Sequence, residues 1–230
     1  TTLQRDYQDT NFLTSLRAIA ILLVYLIHAG SGIRQFGPIG NFLCDIGKFG
    51  VQVFFVISGF TIFSQFFKEG YGLKKFLLVR IFRISLPYYP LLLFMYLYIN
   101  NGGVQFNPWA IKYNNGSLDS LNLLAHFTYL SQFFLSYQNT VLSIEWTLGI
   151  EVFFYFLFGL LIEYGYFRLE KRHFIVWGFG LLVFSAMVKI SGYVYFDRYY
   201  VHWLPFQYSY MFYLGGLAYF LRNELKVTWP

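Results

Sequence analysis

The sequence predicts an all-α, polytopic bundle of transmembrane helices, and its composition and hydrophobic patterning support this fold class. Hydrophobic residues make up 57% of the 230 residues and aromatic residues 24%, whereas charged residues make up only 12%. That charged share is about half of what soluble domains carry. The hydrophobic residues also come in runs long enough to cross a bilayer. Together these features exclude an ordinary soluble domain.

Six segments have the length and hydrophobicity of membrane spans. They cover residues 13–30, 49–67, 76–99 (or 84–99), 142–164, 174–191 and 204–221. Pro87 and Pro90 predict a kink or a broken first turn in the third span, because proline removes a helical hydrogen bond. Residues 121–136 are apolar but short for a full crossing, so they are expected to form a re-entrant segment or a short helix.

The basic residues predict which side of the membrane each loop occupies. If the N-terminus is cytoplasmic and residues 121–136 do not cross, most of the 17 lysines and arginines lie on the cytoplasmic side. A crossing at residues 121–136 would divide them almost evenly. The positive-inside rule therefore favours six spans and a cytoplasmic N-terminus. It also argues against nucleic acid as a partner, because the basic residues flank hydrophobic segments and form no single stripe.

Arg17 and His28 are unusual residues for the first span. They are eleven residues apart, so on a regular helix they share a face and lie about 16 Å apart along the axis. A simple interpretation is that Arg17 reaches the inner headgroups while His28 ends the helix at the outer face. The functional interpretation is a cation for an anionic group at one end and a titratable base at the other.

Two glutamates accompany the fourth span. Glu145 lies at its start and is interpreted as an exposed cap. Glu151 lies deeper, and Thr147, Glu151 and Tyr155 follow one another at four-residue spacing as a polar stripe. An unpaired carboxylate at this depth is costly, so Glu151 is expected to find a partner, to be protonated or to line a cavity.

Arg80 and Arg83 are one turn apart at the cytoplasmic start of the third span. They either anchor lipid headgroups or clamp a phosphate, for which the planar guanidinium is suited. The other histidines, including His126, are expected to be structural. The single cysteine, Cys44, excludes an intrachain disulfide, and no histidine pair has the spacing of a helical zinc motif. No metal is therefore expected.

Four blocks, in order, resemble the acyltransferase 3 family of integral-membrane O-acyltransferases. They are LTSLRAIAILLVYLIH with Arg17 and His28, FGVQVFFVISGF at residues 49–60, FLLVRIFRI with Arg80 and Arg83, and WTLGIEVFFY with Glu151 and Tyr155. A weaker fifth block, FYLGGLAYFL, ends at residue 221. The chain departs from the family pattern where Ser85 and Leu86 precede Pro87, and where Thr147 replaces a serine.

The resemblance implies an enzyme that moves an acyl group, often acetyl, from acyl-coenzyme A to a hydroxyl of a cell-surface polysaccharide or related glycan. The expected partners are acyl-CoA, a glycan or lipid-linked sugar acceptor and membrane lipids, with no bound cofactor. The expected location is the bacterial inner membrane. Because family members have more spans than this chain supplies, residues 1–230 are expected to be a single domain that is incomplete at its C-terminus.

The same resemblance assigns roles to individual residues. Arg17, Arg80 and Arg83 would hold the coenzyme at the cytoplasmic side, with Tyr155 also at the substrate. His28 would activate the acceptor hydroxyl or relay the acyl group, and Glu151 would orient His28 or pair with an arginine. The alternative function is a non-enzymatic transporter or flippase subunit, which inverted repeats would favour; the sequence shows no convincing repeat.

Overall fold

All regular elements in the described part of the chain are helical, which confirms the predicted all-α class. The computed structural model describes residues 2–66, 72–103, 107–115, 117–165, 171–195 and 201–225. The α-helices are α1 (Thr2–His28), α2 (Gly30–Arg34), α3 (Pro38–Gly47), α4 (Gly50–Phe66), α5 (Leu73–Asn100), α6 (Pro108–Asn114), α7 (Ser120–Phe127), α8 (Trp146–Glu163), α9 (Lys171–Tyr195) and α10 (Ser209–Leu225). Short 3₁₀ helices cover Ser131–Phe133 and Pro205–Tyr208.

Four helical segments of the described chain are long and apolar enough to cross a membrane. They are Pro38–Phe66, Leu73–Asn100, Trp146–Glu163 and Ile175–Gly192. Phe12–His28 is a shorter apolar stretch of α1. The chain is thus an integral membrane protein with several spans. The total of six crossings and the cytoplasmic N-terminus stay predictions.

The start of the first helix differs from the prediction, and one of the two alternatives for the third span is wrong. The first helix begins at Thr2 instead of near residue 13, because the polar segment before residue 13 contains no glycine or proline to stop it. Helix α5 continues through Pro87 and Pro90, so its turns there are not broken, and the alternative of a kink stays a prediction. Membrane helices tolerate proline where the surrounding structure satisfies the freed backbone groups.

The segment at residues 121–136, for which a re-entrant segment or a short helix is predicted, begins with a short helix. Helix α7 has 8 residues, and Asp119 caps it by accepting a hydrogen bond from the Asn122 backbone N–H at 2.7 Å. Eight residues span about 12 Å, far less than the hydrocarbon core of a bilayer. The 3₁₀ helix Ser131–Phe133 and an irregular stretch then lead to α8.

The chain divides into two compact units, and the first comprises Thr1–Phe63 and Met211–Pro230. Here α1 packs against α3, and the Cys44 thiol reaches the Leu26 carbonyl at 3.6 Å. Gly59 of α4 lies so close to the backbone of Phe212 that any Cβ would collide with it. A small residue is therefore required where these two helices meet.

The second unit comprises Ser64–Tyr210 and is built on the pairing of α5 with α8. Its core groups apolar residues of α5 and α8 with residues of the connecting segment between them. The buried members are Tyr88, Leu92, Ile99, Ala110, Leu118, Tyr129, Val141 and Val152. The prediction of one domain over residues 1–230 stays a prediction.

Candidate active site

Arg17 and His28 lie on one uninterrupted helix in the first unit, as the sequence predicts. Because α1 is continuous from Thr2 to His28, the eleven helical steps from Arg17 to His28 correspond to about 16 Å along the axis. Arg17 is half-buried and His28, the last residue of the helix, is exposed. Arg17 is therefore more enclosed by the protein than His28 is.

Arg80 is a buried cation on the face of α5 that packs against α8. It is only 6% exposed, and its Nε donates a hydrogen bond to Oε1 of Gln65 at 3.0 Å. The guanidinium carbon lies 5.5 Å from the ring centre of Tyr155 and 5.8 Å from that of Phe76. Two aromatic faces thus surround the cation, an arrangement worth about 2 kcal/mol or more when desolvated.

Glu151 finds the partner that its depth requires. The hydroxyl of Tyr155, one turn later on α8, donates a hydrogen bond to Oε1 of Glu151. Tyr155 is 2% exposed, whereas Glu151 is half-buried. The four-residue spacing noted in the sequence therefore becomes a direct hydrogen bond, and Tyr155 connects the Arg80 cation to the Glu151 carboxylate. We call Arg80, Tyr155 and Glu151 the arginine–glutamate cluster.

Arg83 does not join this cluster. One turn after Arg80 on α5, its side chain is exposed, and α5 positions only Arg80 against the aromatic rings. Tyr155 is buried, and its hydroxyl donates to Glu151, which suits a residue that holds Glu151 in place. The assignments of Arg83 and Tyr155 to substrate binding stay predictions.

Sequence reasoning missed a second polar centre, formed by His126 and Glu145. His126 is fully buried and its Nε2 lies 3.1 Å from Oε1 of Glu145, which is 2% exposed. The other ring nitrogen, Nδ1, lies 2.8 Å from the backbone carbonyl of Asn122. Both neighbours of the ring are acceptors, so these contacts assign a proton to each nitrogen and make the pair an ion pair.

Glu145 also organises the backbone that leads into α8. Its Oε1 accepts the N–H of Val141, and its Oε2 accepts those of Leu142 and Ile144, each at 3.0 Å. Glu145 occupies the N-cap position of α8, as the sequence predicts, but the prediction that it is exposed is wrong. The segment before α8 curves around the carboxylate, which is buried. The available signal in the sequence is the position of Glu145 directly before Trp146 and after an irregular segment whose backbone N–H groups need acceptors.

The ionisation of Glu145 follows from these contacts. Burial acts to raise its pKa, but the hydrogen bond and the positive charge of His126, together with the backbone N–H groups, hold the pKa below its ordinary value. We call His126, Glu145 and the three backbone donors the His126–Glu145 centre. In the described residues, no group of three or more His, Cys, Asp or Glu side chains is arranged to hold a metal ion.

Comparison with known proteins gives one family and one set of relatives. Residues 10–230 match the family described as "Acyltransferase domain". The O-acetyltransferase OatA of Staphylococcus aureus strains NCTC 8325, COL and MRSA252 is 29% identical over 156 residues. The match covers 63% of this chain and 26% of each relative, so the chain spans a minor part of these proteins' length. No solved structure matches it significantly.

Proposed function

The chain belongs to the family of acyltransferase domains, and we propose that it is a membrane-bound O-acyltransferase of a cell-surface polysaccharide or related glycan. The donor is acyl-CoA, with acetyl as the transferred group. The name of the OatA relatives, O-acetyltransferase, supports the acetyl group and the oxygen acceptor. The location proposed is the bacterial inner membrane with a cytoplasmic N-terminus. Residues 1–230 are proposed to form one domain.

The observation that carries the proposal is the arginine–glutamate cluster. Its members come from two separate family blocks, one on α5 and one on α8. Arg80 is held between two rings, and Tyr155 joins it to Glu151. A buried cation and a half-buried carboxylate, connected by one tyrosine, are more than helix packing requires, since each charge is costly to place at membrane depth.

Arg80 suits an anionic donor such as coenzyme A. Among the described residues, its hydrogen bonding uses only Nε. The terminal nitrogens can then donate to a phosphate in a bidentate manner. Arg83 adds exposed positive charge one turn away, and Arg17 adds positive charge on α1. By the predicted orientation, all three arginines face the cytoplasmic side, where acyl-CoA is present.

His28 is the proposed base. A neutral imidazole accepts the proton of the acceptor hydroxyl as that oxygen attacks the thioester carbonyl, and the proton finally resides on the sulfur of released coenzyme A. Alternatively, His28 relays the acyl group. Glu151 either orients His28 or pairs with an arginine, and Tyr155 positions Glu151. These roles extend the family's residue pattern to the matching positions of this chain.

The test is glycan acylation in cells that carry the full-length protein with His28→Ala or Arg17→Ala. General acid–base catalysis contributes about 10²–10⁴-fold, so the His28 variant is expected to lose acylation by at least about 100-fold. Mass analysis of released surface glycan measures the loss. Arg34→Ala, which removes an exposed arginine of α2 outside the family blocks, is the matched control and should retain acylation.

Three outcomes separate the alternatives. Lost acyl groups on glycan of normal amount support the enzyme. Normal acylation in variants that reach the membrane would contradict the assignment of His28 and Arg17. A loss of surface glycan itself, in place of its acyl groups, would favour the transporter or flippase.

A further inference from the structure

A second aromatic cluster lies at the start of α8, away from the residues assigned above. The ring centres of Trp146 and His202 are 5.7 Å apart, and those of Trp146 and Tyr208 are also 5.7 Å apart. His202 and Tyr208 close the triangle at 6.3 Å, with their rings nearly perpendicular. Three elements thus bring their rings together: the first residue of α8, the segment before Pro205 and the 3₁₀ helix Pro205–Tyr208. We call these residues the aromatic triad.

The backbone of His202 is held firmly in this position. The Tyr208 hydroxyl donates a hydrogen bond to the His202 carbonyl at 2.9 Å. Nε2 of Gln207 donates to the same carbonyl and to that of Val201, the latter at 2.9 Å. Because two side chains fix the backbone here, the imidazole is displayed from a rigid support, as a preorganised binding group requires.

Exposure increases in steps across the aromatic triad. Tyr208 is buried, Trp146 is half-buried and His202 is exposed. The buried Tyr208 ring therefore lies beneath the partly accessible Trp146 ring, and the exposed imidazole of His202 is the polar group that solvent and ligands reach. Small-molecule sites commonly combine aromatic surface with a few polar groups of this kind.

An unpaired amide adjoins the same part of α8. Gln132 is 1% exposed, yet neither its Oε1 nor its Nε2 has a hydrogen-bond partner among the described residues. The amide presses against Gly149, where any Cβ would collide with it. Gly149 follows Trp146 by three residues, so the amide meets α8 one turn from the tryptophan.

The charge state of His202 is compatible with hydroxyl recognition. Although part of its side chain is exposed, desolvation by the surrounding protein lowers its pKa, and the positive charge of Lys189 on α9 acts in the same direction. The neutral ring has one acceptor and one donor nitrogen. It can therefore both accept from a hydroxyl and donate to one.

We propose that the aromatic triad binds the ring of a sugar that carries the hydroxyl to be acylated. The accessible face of the Trp146 ring, supported from below by Tyr208, covers the apolar face of the sugar, and His202 exchanges hydrogen bonds with its hydroxyls. This inference rests on the proposed function for the identity of the acceptor. By the predicted orientation, the triad faces outward, where a surface glycan is available. His202 is an acceptor-binding residue here, and the role of base stays with His28.

The test measures acceptor binding directly in vesicles that contain the full-length protein. The probes are a fluorescently labelled oligosaccharide fragment of the surface glycan and a lipid-linked sugar. Trp146→Ala and His202→Ala are each expected to weaken binding of a probe about tenfold while leaving acyl-CoA affinity within about twofold. His202→Asn, which keeps a donor and an acceptor, is expected to recover most of the loss. Trp177→Ala, an exposed tryptophan of α9, is the matched control and should bind normally.

The outcomes separate this inference from the proposed function. Weakened binding of the oligosaccharide alone identifies a polymer acceptor, and weakened binding of the lipid-linked sugar alone identifies that acceptor; either supports the triad. Unchanged binding in both variants, or an equal loss of acyl-CoA affinity, would overturn it, as would wild-type protein that binds neither probe. Wild-type protein that binds a sugar through the triad but transfers no acyl group from acyl-CoA would refute the proposed function alone.

Discussion

Two glutamates, one just before α8 and one within it, have opposite surroundings. Glu145 is enclosed, and His126 and three backbone N–H groups share its two oxygens. Glu151 is half-buried and accepts a hydrogen bond from Tyr155, which also faces Arg80. The two glutamates are six positions apart in the chain. The carboxylate of Glu145 is enclosed by protein donors, whereas that of Glu151 is partly accessible.

We interpret the difference as one between a structural charge, Glu145, and a charge with a proposed catalytic role, Glu151. A buried carboxylate surrounded by protein donors stabilises the fold, and its loss leaves those donors without an acceptor. A carboxylate that is partly accessible and linked to a cation can act on a bound substrate. The two glutamates should therefore respond differently to substitution, with Glu145 affecting stability and Glu151 affecting activity.

The largest effect is expected from Glu145→Ala. The substitution leaves a buried imidazolium and three backbone N–H groups unpaired, which should lower the free energy of unfolding by about 3–5 kcal/mol. Thermal unfolding of the purified protein in detergent measures it. Asp45→Ala removes a carboxylate whose ion pair with Lys48 is exposed, and it should leave the unfolding temperature unchanged. Equal unfolding temperatures for the two variants would contradict a structural role for Glu145.

Acid should weaken the same centre. The pKa of Glu145 in the folded protein lies below its ordinary value of 4.5, so the unfolded chain takes up this proton first as the pH falls. The contribution of Glu145 is complete above pH 4.5 and declines as the pH falls towards its lowered pKa. Unfolding temperatures recorded from pH 6 to below pH 4 should therefore drop in the acid range. A flat profile there would argue against an ionised, paired Glu145.

The sequence predicts the helical fold better than it predicts the His126–Glu145 centre. Hydrophobic runs give the helices because length and hydrophobicity act locally. The ion pair joins His126 to Glu145 across nineteen residues of chain, and nothing local shows that the two meet. The same reason applies to Pro87, since the neighbouring structure, which the sequence does not display, determines whether a helix continues through a proline.

Glu151→Gln should have the next largest effect, on activity alone. The amide keeps the size of the side chain and an acceptor for the Tyr155 hydroxyl, so the unfolding temperature should change little. Loss of the negative charge is expected to reduce the rate of acyl transfer about 100-fold, equivalent to about 2.7 kcal/mol. Initial rates with labelled acyl-CoA measure it. A variant as active as the wild type would place Glu151 among the structural residues.

The smallest effect is expected from Tyr155→Phe. The ring and its contact with Arg80 remain, and only the hydrogen bond to Glu151 is lost, so stability should fall by about 1 kcal/mol. If Tyr155 positions Glu151, transfer should slow about tenfold with little change in KM for acyl-CoA. A rise in that KM at unchanged kcat would instead indicate direct substrate binding by the tyrosine.

The candidate site could be predicted in part. The sequence spacing was enough to predict that Arg17 shares a helix face with His28, and Glu151 with Tyr155. Each pair lies on one helix, where residue number gives position. The meeting of Arg80 with Tyr155 depends on how α5 packs against α8, and the exposure of Arg83 depends on the same packing. The aromatic triad draws on two separate parts of the chain, and no periodicity connects them.

The most direct test of the central claim is acyl transfer by the full-length protein in sealed vesicles of defined orientation. Acetyl-CoA labelled in the acetyl group is supplied on the side of the N-terminus, and a glycan acceptor on the other side. We expect labelled ester on the glycan with wild-type protein and with Arg34→Ala, and at least about 100-fold less with His28→Ala. Labelling that His28→Ala leaves intact, or wild-type protein that labels no acceptor hydroxyl, would contradict it.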